Sequence, residues 1–282
     1  MPVFSFMLKT AQHATPEQPT LTAVLAGVAL ALMGALTVDP PATAQDRALK
    51  GGVPDWTYQD GDTGPRAWGG MDPVWRMCTL GNRQSPIDIT ATDPVQIAPL
   101  STDFRKSTLN LGNNGRALHW TVQKGSRLMV GENIFTLDRV RFQAPAEHLM
   151  NGVRAPAEIQ MRFSNQFDRI AMLSILVDVG SAHEGMARLL DQAPLEPGMA
   201  HAAGPSITLH PNQFLPDDLS YVRYLGSLTT PPCTQGVNWY VLTTMISFSL
   251  EQVDELIALI GNGYRPVQPR GDRMVLQSVP RQ

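Results

Sequence analysis

Arg139-Val140-Arg141-Phe142-Gln143 (RVRFQ) and Glu158-Ile159-Gln160-Met161-Arg162 (EIQMR) each alternate polar with apolar side chains. Strict alternation is the signature of a β-strand, because residues two apart point to the same face. Arg139, Arg141 and Gln143 therefore share one face, and Glu158, Gln160 and Arg162 share one face of the second strand. Working outward, residues 117–122, 127–130, 140–142, 159–163 and 170–179 are short, rich in β-branched or aromatic residues, and separated by Gly, Asn and Asp turns. That is strand spacing. Helices are few. Residues 184–191 form one, and Ser249 with Gln252 three residues on makes a capping box before residues 253–260. From Gly261 onward the Gly and Pro punctuation predicts an irregular end. The expected class is mainly β.

Several separated blocks place these strands in a larger pattern. Trp56, Tyr58, Gly64-Pro65, Trp68, Cys78 and Gly81 lead into Gln84-Ser85-Pro86-Ile87-Asp88-Ile89. Further on come Asn113-Asn114-Gly115, Pro145-Ala146-Glu147-His148, Ala157-Glu158, Val179-Gly180-Ser181-Ala182, the run YVRYLGSLTTPPC ending at Cys233, Trp239, and Arg265-Pro266 with Gln268-Pro269. In this order the blocks resemble the α-class carbonic anhydrases, from Trp56 to Arg273. The resemblance implies a large twisted, mainly antiparallel β-sheet with a few peripheral helices and a conical cavity on one face.

A catalytic member of that family carries His-x-His on one strand and a third His on its neighbour, and three neutral imidazoles hold Zn²⁺ with a fourth position open. Here the three positions are Arg141, Gln143 and Gln160, and Arg139 stands for the family's glutamine. A guanidinium has no free lone pair, and amide oxygens are weak zinc partners. No metal and no other cofactor is expected. The residues that surround the metal in the family are kept: Glu147 and Thr229, whose hydroxyl is expected to donate to that carboxylate, with His148, Glu158, Thr230 and Tyr58. Arg116 stands at the proton-shuttling position, Arg162 at an apolar wall position, and Met172 where a smaller valine is usual. His119, Val237 and Trp239 are also placed along the cavity. Alternation aims Arg141 at the old ligand centre, where it pairs with Glu158, Glu147 or both. Arg162 can serve as a second internal cation for these glutamates, with Arg116 and Arg139 reaching water. Alternatively, one or two arginines stay unpaired and bind an anion. His183, His201 and His210 fall in loops or at a helix start, outside the site.

The chain has 282 residues, 43% hydrophobic and 17% charged, with a formal net charge of -3. These values suit one ordinary globular domain and give no reason to expect a nucleic-acid partner. Residues 21–38 (LTAVLAGVALALMGALTV) are apolar and uncharged and are followed by Pro40-Pro41 and Ala42-Thr43-Ala44. Residues 1–44 are thus expected to be a secretory signal cleaved near Gln45, or a retained membrane anchor, with the domain spanning 45–282. Either way the domain is exported, periplasmic or extracellular, and it meets a membrane only if the anchor is kept. The resemblance pairs Cys78 with Cys233 in a disulfide, which fits export. The functional expectation is an inactive, carbonic-anhydrase-like binding or structural module with a protein partner. The alternatives are carbon dioxide hydration through a relocated metal site, and a small-anion binder using the arginine-lined cavity.

Overall fold

The computed structural model describes residues 55–279. The expected residues 1–44 segment lies outside them. The strands that position the site are β1 (Asp93–Val95), β2 (Asn110–Asn113), β3 (Leu118–Thr121), β4 (Asn133–Gln143), β5 (Ala157–Ser164), β6 (Ile170–Val179), β7 (Ala200–Ala202), β8 (Tyr221–Ser227), β9 (Gln235–Leu242) and β10 (Leu276–Ser278). They hydrogen-bond in the order β7-β2-β3-β4-β5-β6-β9-β8-β10-β1 within a 13-stranded sheet. β6 runs parallel to β9, and β10 to β1; the remaining neighbours on this path are antiparallel. Among the described residues the helices are α1 (Trp68–Met71), α2 (Met77–Leu80), α3 (Glu184–Asp191) and α4 (Leu250–Ile260). The sequence had not marked α1 and α2, which are single turns too short to show a helical period.

Alternation divides the sheet into two unlike faces. Val140, Phe142, Ile159, Met161, Phe163, Leu173 and Ile175 belong to the main hydrophobic core, which also holds Met186 and Leu189 of α3 and Val253 and Leu256 of α4. The other face crosses the same strands in polar rows. Pairing sets His119 opposite Arg141, Arg141 opposite Gln160, and Gln160 opposite Ser174. The next row runs Thr121, Arg139, Arg162, Met172, Trp239 and Tyr224. Directly opposed Cβ atoms lie about 4.5–5.5 Å apart, so each row is a line of side-chain neighbours.

Just beyond the second row β4 bulges: Arg162 opposes Arg139, and Phe163 opposes Leu137, leaving Asp138 as the extra residue. A bulge re-aims the side chain it sets free. Asp138 turns to Arg162, whose Nη1 donates to its Oδ2 at 2.5 Å, and Ser164 Oγ donates to Oδ1 at 3.2 Å.

α4 opens as expected. Gln252 N donates to Ser249 Oγ at 3.3 Å, and Ser249 N donates back to Gln252 Oε1 at 3.1 Å. Gln252 also holds the cap of α3, accepting from His183 N and donating to His183 O, each at 2.9 Å. His183 caps α3 through Nδ1, and His210 caps a 3-10 turn. His201 corrects the loop expectation, since it lies on β7 at the sheet edge. The C-terminal stretch is irregular but does contribute β10. Cys78 and Cys233 form a disulfide, fastening α2 to the loop after β8.

Candidate functional site

β4 and β5 carry Arg141 and Gln160 to the floor of a cavity of about 250 Å³, with Thr229 and Thr230 from the loop after β8. Arg141 is nearly buried, at 9% exposure, and both terminal nitrogens of its guanidinium meet acceptors. Nη1 donates to Glu147 Oε2 and to Gln160 Oε1, both at 2.9 Å, and reaches Thr229 Oγ1 at 3.5 Å. Nη2 donates to Tyr58 OH at 2.6 Å and to Gln143 Oε1. Gln143 passes the network on by donating to Gly263 O. Burial alone would lower the Arg141 pKa, but Tyr58 and Glu147 beside it raise it above the usual arginine range. It is a permanent cation.

Gln160 joins this cation to the carboxylates. Its Oε1 accepts from Arg141, and its Nε2 lies 3.0 Å from both Glu147 Oε2 and Glu158 Oε1. A primary amide offers an acceptor and two donors in one plane, and all are used here. Tyr58 OH donates to Glu147 Oε1 at 3.3 Å, and the Arg265 backbone N–H reaches the same oxygen at 3.4 Å. Burial holds the Tyr58 hydroxyl well above its ordinary pKa, so it remains a donor.

Glu158 lies deeper. It accepts from the backbone N–H of Glu147 at 2.7 Å and of His148 at 3.0 Å, and from Ser174 Oγ at 2.7 Å. His148 Nδ1 is 2.8 Å from its Oε1, and His148 Nε2 is 2.7 Å from Tyr224 OH. Burial pushes the Glu158 pKa up, but His148 and the other donors outweigh it and hold it down at about 2.

Of the two candidate glutamates, Arg141 bonds Glu147, one of the outcomes expected, and Glu158 is engaged by His148. Other expectations are corrected by this arrangement. The Thr229 hydroxyl is met by Arg141 instead of donating to Glu147. Arg162 pairs with Asp138 and with neither glutamate, because the bulge brings Asp138 to it. Arg116 does not reach out to water alone. It bonds Asp55, donates from Nε to Trp56 O at 2.8 Å, and lies 4.4 Å over the Trp56 ring. Gln143 and Glu158 share the cavity's face of the sheet but are fully buried beneath it. Val237 and Trp239 are also fully buried, packed with Ile87, Val222 and Tyr224, and they are absent from the cavity lining. The segment carrying Ile87 and Ile89 covers that end of the row, so Met172 is the member of this cluster that reaches the cavity.

No sequence pattern points to Asp138, whose role depends on the bulge. Ser174 was findable once β5 and β6 are paired, because it directly opposes Gln160. Arg265, which the sequence shows only as part of a family block, is a third participant. Its Nη1 donates to Gln84 Oε1 at 2.9 Å and Ser85 O at 2.8 Å, and Nη2 donates to Cys78 O at 3.1 Å. Burial lowers its pKa to about 10, leaving it charged at neutral pH.

The family description "Eukaryotic-type carbonic anhydrase" matches residues 63–279. The chain belongs to the α-class carbonic anhydrase family. A carbonic anhydrase of Pectobacterium carotovorum is 30% identical over 222 residues, covering 78% of this chain and 90% of its own. Dioscorin DB3L of Dioscorea polystachya is 31% identical over 226 residues, covering 76% of this chain and 83% of its own. Among solved structures, the α-carbonic anhydrase of Thermovibrio ammonificans in complex with sulfanilamide matches with a TM-score of 0.76 and 32% identity, covering 80% of this chain and 100% of its own.

The donor set at the family's metal position does not fit zinc in this chain. Arg141 presents N–H groups where a ligand must present a lone pair. The amide oxygens of Gln143 and Gln160 both face the Arg141 guanidinium. A divalent cation brought here would meet a fixed positive charge in place of imidazole nitrogen.

Proposed function

We propose that this carbonic-anhydrase-like chain does not hydrate carbon dioxide at the family's metal position and works, after export, as a binding or structural module. The observation that carries this reading is the Arg141 guanidinium, bonded to Glu147, Gln160, Tyr58 and Gln143 where the family places zinc ligands. Glu147, Glu158, Thr229 and Tyr58 keep their places, with Arg141 supplying the cation that a buried carboxylate needs. The Cys78–Cys233 disulfide supports export, since such bonds persist in oxidising compartments.

Several relatives are named carbonic anhydrase, which favours the enzyme reading; in this chain that reading needs a metal held elsewhere. Among the described residues, no group of three or more His, Cys, Asp or Glu is placed to hold a metal ion. One experiment separates the readings: metal content and carbon dioxide hydration measured on the same purified sample after dialysis against chelator. The expected outcome is substoichiometric zinc and background hydration. One zinc per chain with activity would replace this proposal. In the triple variant R141H/Q143H/Q160H, zinc binding should return more readily than hydration, because Arg116 and Arg162 still occupy the shuttle and wall positions.

A further inference from the structure

The cavity above the Arg141 network carries an imbalance of charge. The guanidiniums of Arg116, Arg139, Arg141 and Arg162 line it, and its lining includes no carboxylate. Asp55 engages Arg116, Glu147 engages Arg141, and Asp138 engages Arg162. Arg139 is exposed and makes no side-chain hydrogen bond or ion pair among the described residues. It stands directly opposite Arg162 on the neighbouring strand, and Asp138 answers the Arg162 charge alone, which leaves Arg139 as the cation without a partner. An adjoining hollow that shares Asn114, His119 and Arg139 is also free of carboxylates.

His119 supplies a second, independent sign. Asn114 Oδ1 accepts from the backbone N–H groups of Arg116 and Ala117, at 3.0 and 2.9 Å, so its amide nitrogen is the group that faces His119 Nε2 at 3.0 Å. Nε2 must therefore accept, and the ring proton sits on Nδ1. That Nδ1 is buried and has no hydrogen-bond partner, although the residue as a whole is partly exposed. A buried donor without an acceptor calls for a water, an ion or a ligand, and a turn of the ring toward the cavity would let it reach one there.

We propose that the cavity binds a small organic monocarboxylate, with its carboxylate on Arg139 beside His119 and its apolar body against Trp56, Met172 and Leu228. One surplus cation calls for a monoanion, since a dianion would bring a charge that no lining residue answers. The volume of about 250 Å³ falls just below the usual range for ligand sites, which limits the guest to a small molecule. A bare inorganic anion would leave the Trp56, Met172 and Leu228 wall uncovered.

This proposal rests on Arg141 holding the metal position, and the test separates the two ideas. Butyrate and benzoate are titrated calorimetrically into the chelator-treated full chain, with succinate and bicarbonate for comparison and a repeat with added zinc. The expected result is saturable one-to-one binding of butyrate or benzoate. Arg139→Gln should weaken it by about tenfold or more, the worth of one charged hydrogen bond, and Arg139→Lys should restore part. In the unsubstituted chain, the His119 Nδ1–H resonance should shift along the same saturation curve. Failure of both probes to bind with or without zinc, indifference to Arg139→Gln, an unmoved His119 resonance, or tighter binding of succinate or bicarbonate would each overturn the site. Binding that requires zinc would overturn the metal-free reading as well.

Discussion

Arg141 shows how a buried charge can be essential to a fold without being a net gain. Removing one partner of a buried pair leaves the other uncompensated and costs about 3–5 kcal/mol, whereas replacing both can be nearly neutral. Arg141→Met should therefore lower stability by about that amount in denaturant melts, and Glu147→Gln in the same chain should recover a large part. An unchanged midpoint for Arg141→Met would show that the guanidinium is solvated. His119 and Glu158 set the acid limit. The His119 pKa is lowered from 6.5 to about 3 by burial and then by the Arg141 and Arg139 cations, and that of Glu158 from 4.5 to about 2. In both cases the unfolded chain binds the proton first, so stability falls as pH falls, through 6.5 to about 3 for His119 and through 4.5 to about 2 for Glu158. His119→Gln should flatten the loss between pH 6.5 and 4.5 and leave the steeper loss below it, as read from melts across that range. The direction of Arg141 was legible in the RVRFQ alternation. Which glutamate it meets was not, because that depends on how deep each carboxylate lies and what else donates to it.

Elements were more legible than the contacts between them. The spans of β6 and α3 and the Ser249–Gln252 capping box follow from local rules, since alternation and capping act within a few residues. The β4 bulge left no such trace, and with it went the Asp138–Arg162 pair, because register between strands is a long-range property. The same distinction separates two substitutions in α4. Ser249→Ala removes one cap bond and should cost about 1 kcal/mol. Gln252→Ala removes the reciprocal bond together with both bonds to His183, so it should cost about 2–3 kcal/mol. Equal losses in thermal melts would mean that α3 and α4 are not joined through Gln252.

Across the whole molecule, the α-class fold survives a replaced metal position because its rows are held by the hydrophobic face behind them and by Arg265 and the disulfide in front. The Cys78–Cys233 bond spans 155 residues, and in the chain-entropy model such a loop is worth about 4–5 kcal/mol. The double variant Cys78→Ala/Cys233→Ala should lose up to about that much, measured by denaturant unfolding against the oxidised parent. The bond also sets how the chain answers force. A pull on its two ends runs through the sulfurs and bypasses β1 to β8 entirely, so only the flanks can pay out. At about 3.3–3.6 Å per residue, roughly 500 Å of contour stays locked until a reductant is added. In an optical trap, the oxidised molecule should act as a short tether around an unyielding knot, and the reduced one as a rope more than twice as long.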